Sequence, residues 1–158
     1  MELKLESYLL WGFWATLVLT ALLSVSQSLR LTRLSLPFLL GSIFTSRRDL
    51  ARTLGFVVHL MNGWIFSLLY VATFHVMGGA TLLRGVMLGL VHAAFVLTVG
   101  FQLMPGVHPR MASEMHGPTA TRQLEPPGFL ARHYGRWTPA VIIVAHAVFG
   151  GILGAFYR

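Results

Sequence analysis

HLMNGWIFSLLY, residues 59–70, recurs near the other end of the chain as HAVFGGILGAFY, residues 146–157. Each copy reads His, a small residue four positions on, another four beyond it, and Tyr three further. These are His59, Gly63, Ser67 and Tyr70 in one copy and His146, Gly150, Gly154 and Tyr157 in the other. Steps of four and three keep such residues on one helix face. Inside a bilayer, small residues at this spacing let two helix backbones approach closely. The expected fold is an all-α four-helix transmembrane bundle of two tandem helical hairpins. Its seam is expected where the second and fourth spans pack small face to small face, each contributing a histidine.

Composition agrees with a membrane setting. Of 158 residues, 55% are hydrophobic and only 11% charged, against about 25% charged in soluble domains. The absence of cysteine removes disulfides, thiolate metal sites and cysteine nucleophiles. The formal charge of +7 comes from residues flanking apolar runs. That placement makes anionic lipid headgroups, not nucleic acid, the expected partner.

Four apolar runs, at residues 8–25, 54–77, 85–104 and 138–157, contain no Asp, Glu, Lys or Arg. About 20 helical residues span the hydrocarbon core. Between the first two runs, residues 34–44 (LSLPFLLGSIF) are apolar but too short to cross. They read as a short interfacial helix opening at Ser35, with Pro37 in its first turn. Ser46 and Asp49 have capping-box spacing ahead of the second span. Thr138 and Pro139 read as cap and first residue of the last span. Gly78-Gly79 ties the second and third spans into a hairpin. Residues 105–137 form a long, proline-rich loop, a length usually functional or disordered.

The two long loops carry five and four arginines, against Lys4, Arg84 and Arg158 on the other side. This bias places both loops in the cytoplasm and both termini outside. Arg30, Arg33, Arg47, Arg48, Arg52 and Arg136 are the expected headgroup contacts. The repeat extends to the other spans, where Trp14-Ala15 and residues 18–20 match His92-Ala93 and residues 96–98 at an offset of 78. Residues 1–78 and 79–158 thus read as two parallel repeats within one membrane domain.

The motif HxxxGxxxGxxY in the second and fourth spans, with a short apolar helix before the second, resembles a family of small, uncharacterised four-span bacterial inner-membrane proteins. The resemblance runs from Gly12 to Tyr157. It departs at Ser67, where the motif has glycine, and in the long loop 105–137. It implies a multi-pass protein of the bacterial cell inner membrane and carries no activity.

Candidate chemistry centres on histidines. A polar group in hydrocarbon must be hydrogen-bonded or functional. His59 and His146 are candidate haem or metal ligands, with the neighbouring glycines giving room. The alternative is a neutral imidazole bonded to a carbonyl, to Asn62 or to a threonine. His92, where the first half has Trp14, joins them only if the third span turns that face inward. In the long loop, His108, Glu114, Met115 and His116 are candidate copper ligands, although their spacing matches no standard set. The sequence holds no HExxH, no phosphate-binding loop and no intramembrane carboxylate pair. The expectation is therefore a non-enzymatic accessory subunit or scaffold with a partner-docking loop, working with a membrane-protein partner or as a homo-oligomer. A haem or metal redox protein and a small-solute permease are the alternatives.

Overall fold

A computed structural model describes residues 4–158. In chain order the helices are α1 (Leu5–Ser28), α2 (Leu36–Gly41), α3 (Arg48–Val76), α4 (Leu82–Val107) and α5 (Thr138–Phe156). All but α2 are long and apolar enough to cross a membrane. At about 1.5 Å per residue, even the 19 residues of α5 reach about 28 Å. The fold is an all-α four-helix bundle, and the chain is a multi-pass membrane protein. Leu10, Ile65, Leu83, Val91 and Val144 are among many large apolar side chains left exposed on its outer faces. Such a surface would aggregate in water and is satisfied by lipid.

Most serine and threonine hydroxyls inside the spans are tied to their own helix. Thr16, Thr20 and Ser24 of α1 donate to the carbonyls four residues earlier at 2.7, 2.8 and 2.9 Å. Ser67 does the same to Gly63 at 2.7 Å. Hydrocarbon offers no other partner, so the i−4 carbonyl takes the bond.

α4 runs three residues beyond its apolar part and carries Pro105 inside it. Proline has no N–H for the Phe101 carbonyl and its ring crowds that group. Just before Phe101 the helix widens into a π-turn, Val96–Gly100. Such adjustments re-satisfy backbone groups freed by proline within a membrane.

Three expected helix starts fare differently. Ser35 does precede α2, with proline in the first turn. α3 takes Arg47 as its first flanking residue with no side-chain cap, so the Ser46–Asp49 box does not form. Thr138 is not the cap of α5; its hydroxyl instead lies 2.7 Å from that of Thr32, joining α5 to the first loop.

The largest correction concerns the seam. Spans two and four, α3 and α5, do not meet through Gly63, Ser67, Gly150 and Gly154. A Cβ on Gly150 would overlap the Gly85 carbonyl, one on Gly154 the Thr81 carbonyl, and one on Gly89 the His146 carbonyl. A Cβ on Gly63 would run into the Thr16 side chain, and one on Gly12 would lie 3.0 Å from the Ser67 hydroxyl. Small faces are therefore consumed inside each hairpin, α1 on α3 and α4 on α5. The small stripe of α4, Gly85 and Gly89, matches that of α5, and the Gly78-Gly79 turn joins α3 to α4 without packing them together.

The long loop is a folded cap and not an open arm. His108, Met111, Ala131 and Tyr134 are buried. Arg33 pairs with Glu125 at 3.2 Å, and the Tyr134 hydroxyl donates to the Glu125 carbonyl at 2.9 Å. The Arg110 guanidinium donates to the carbonyls of Ser42 and Ile43 just past α2. The Arg33 and Arg110 bonds join segments far apart in sequence, and the latter tie the end of α2 to the cap.

Candidate functional site

With the glycines spent inside the hairpins, the space between hairpins is left to larger side chains, and they do not fill it. A cavity of about 220 Å³ lies there, lined by His59 and Asn62 of α3, His92 of α4 and His146 of α5. Thr16 of α1, Leu36 and Leu40 of α2, and Met104 near the π-turn complete its walls. Among the described residues that line it, none is Asp, Glu, Lys or Arg. Toward the Gly78-Gly79 turn the bundle is packed, with Tyr70, Val71, Phe74 and Leu153 almost wholly buried.

The third span does turn His92 inward, so the three histidines share one space. His92 is held on two sides. The Phe66 ring stacks on it at 4.0 Å, and the Tyr70 hydroxyl lies 3.2 Å from its Nδ1. The His146 ring meets it edge to face at 4.6 Å. The Nδ1 of His146 donates to the Ile142 carbonyl at 2.8 Å, leaving Nε2 as an acceptor in that tautomer. His59 differs: its Nε2 is shielded from solvent and has no hydrogen-bond partner among the described residues.

The group does not fit haem. Haem is larger than the space the three histidines share, and the His92 ring already packs on one edge of His146. The cavity also falls below the ~300–1,000 Å³ of ordinary small-molecule pockets. Nor, among the described residues, do three His, Asp or Glu side chains gather as metal ligands. The loop set likewise fails to assemble. His108 is buried, with Nε2 3.2 Å from the Ser42 hydroxyl and 3.0 Å from the Leu39 carbonyl, while Glu114, Met115 and His116 are exposed. Burial pushes the His108 pKa down, and the Arg110 charge adds to the effect against the opposing Leu39 bond.

Tyr157, the counterpart of Tyr70, sits at the end of the bundle away from the long loop, its hydroxyl 3.4 Å from both His75 and the Lys4 backbone nitrogen. Gly63 and Ser67 are packing residues against α1, and Gly150 and Gly154 against α4. Phe66 and Thr16 were not singled out by the repeat. Phe66 follows Asn62 by four and His59 by seven, which puts it on the cavity face. Thr16 follows Gly12 by four, the same small-residue step as in α3.

Comparison with known proteins yields no relative. No protein-family model matches the chain, and no curated protein or solved structure matches it either. The reading of the site therefore rests on its own geometry.

Proposed function

We propose that this chain is a non-enzymatic membrane protein that binds a small, uncharged, mainly apolar molecule in the histidine cavity. One observation carries the reading: the unpartnered Nε2 of His59 beside that space. An unsatisfied buried polar atom costs about 1–3 kcal/mol. A leucine there would remove the cost, so the imidazole is expected to meet a ligand oxygen, either a hydroxyl or a carbonyl. A cavity of ~150 Å³ can hold benzene, so about 220 Å³ suits a molecule of one or two rings. The packed residues toward the Gly78-Gly79 turn favour a binder over a permease. A docking role for the loop at 105–137 draws less support, because its buried side chains are committed to its own bundle. The arginine bias supports cytoplasmic long loops and both termini outside, in keeping with a bacterial inner membrane.

The test is organic extraction of protein purified in mild detergent, with mass spectrometry of the extract, for wild type and His59→Leu. Wild type is expected to carry a small oxygen-bearing compound near one equivalent, and His59→Leu to lose most of it. The stripped variant is expected to be at least as heat-stable as stripped wild type. Equal loading of both proteins, or a bare wild type, would overturn the reading.

A further inference from the structure

A second site lies where α2 meets the first turns of α3, at the arginine-rich end of the bundle. A cleft of about 400 Å³ is lined there by Arg33, Arg48 and Arg52 together with Glu125, Gln27 and Tyr134. The three cations are not equivalent. Arg33 is paired with Glu125 at 3.2 Å. Arg48 stands over the Phe38 ring at 5.6 Å, a contact that fixes its position without neutralising it. Arg48 and Arg52 have no carboxylate partner among the described residues.

Arg52 also borders a groove of about 360 Å³ that descends between α1 and α3 along Leu23, Leu36 and Phe56. The cleft and the groove share Gln27, Leu34, Ser35 and Arg52. A cationic mouth thus opens onto an apolar channel at the depth where α3 leaves its apolar run. Arginine forks match phosphate oxygens, and a channel of this kind matches a hydrocarbon tail.

We propose that this cleft and groove bind one anionic phospholipid, its phosphate between Arg48 and Arg52 and one acyl chain along Leu23 and Phe56. The exposed Arg30, Arg47 and Arg136 then serve only as diffuse surface charge. The groove shares Leu23, Leu34 and Leu36 with the wall of the histidine cavity but none of its histidines, and the two tests read different ligands, so either reading can fail alone.

Native mass spectrometry of the delipidated full chain tests it, with phosphatidylglycerol, phosphatidylcholine and inorganic phosphate as probes. The expected result is a one-to-one phosphatidylglycerol adduct that outlasts phosphatidylcholine on activation and is not displaced by excess inorganic phosphate. Arg48→Gln/Arg52→Gln should weaken that adduct by about thirty-fold, while Arg136→Gln leaves it unchanged. Melting in phosphatidylcholine nanodiscs, expected to match wild type, checks that the double variant is folded. Retention of phosphatidylglycerol by the folded double variant, or equal retention of phosphatidylcholine, would overturn the proposal. Displacement by inorganic phosphate would also overturn it and leave a free phosphate as the ligand.

Discussion

The two hairpins use small residues at the same spacing but close in different ways. In the second, α4 meets α5 backbone to backbone, with Gly85 and Gly89 set against Gly150, Gly154 and the His146 carbonyl. In the first, α1 meets α3 through short side chains, with Thr16 on Gly63 and Ser67 and Trp64 on Gly12. A hydroxyl side chain can rotate or be trimmed, whereas a carbonyl cannot move without its helix. The second hairpin is therefore the rigid wall of the cavity and the first the adaptable one.

Substitutions can break or sharpen this contrast. The largest effect is expected from Gly150→Leu, which forces a side chain into the Gly85 carbonyl. It should cost about 3 kcal/mol or more, at the top of the overpacking range, while Val144→Leu on the lipid face should cost nothing measurable. Thermal unfolding in detergent reads both, and equal melting would deny the seam. A smaller effect separates the hairpins. Gly63→Ala should cost about 1–2 kcal/mol, and Thr16→Gly in the same chain should restore much of it. Gly150→Ala should find no such rescue in any side chain of α4, because its obstacle is backbone. If the Gly63 variant also resists rescue, the two interfaces are alike.

The smallest effect concerns the cap. The pKa of His108 is depressed by burial from its usual value of 6.5. Above pH 6.5 neither folded nor unfolded state holds the proton, and the contribution is at its full value. Below that pH the unfolded chain binds the proton first, so stability falls as pH falls. The slope cannot exceed about 1.4 kcal/mol per pH unit. Melting temperatures between pH 7 and 5 should fall less in His108→Gln than in wild type. Parallel curves would remove His108 from the account.

Much of the architecture was legible in the residues. Uncharged apolar runs gave the spans, Ser35 and Pro37 the short α2, and Gly78-Gly79 the hairpin turn. Partner choice was not. Four spans carry small residues at four-residue steps, Gly12/Thr16 and Gly85/Gly89 as well as the two repeated copies, and spacing does not rank the pairings. The stripe in the third span, Gly85/Gly89, lies outside the repeated motif. The site was half legible. His59, His92, His146, Asn62 and Tyr70 were all marked, but grouping them needed the rotation of α4. The cap was hidden because its bonds, Arg33 to Glu125 and Arg110 to the end of α2, join segments far apart in sequence.

The account depends on the glycines being used within hairpins, so that the histidines face a shared space. The chain has no native cysteine, so introduced pairs report cleanly. Val86→Cys with Gly151→Cys, adjacent across the α4–α5 contact, should form a disulfide on mild oxidation in membranes. Gly63→Cys with Gly150→Cys should not. Efficient cross-linking of the second pair, with the first remaining reduced, would contradict the arrangement.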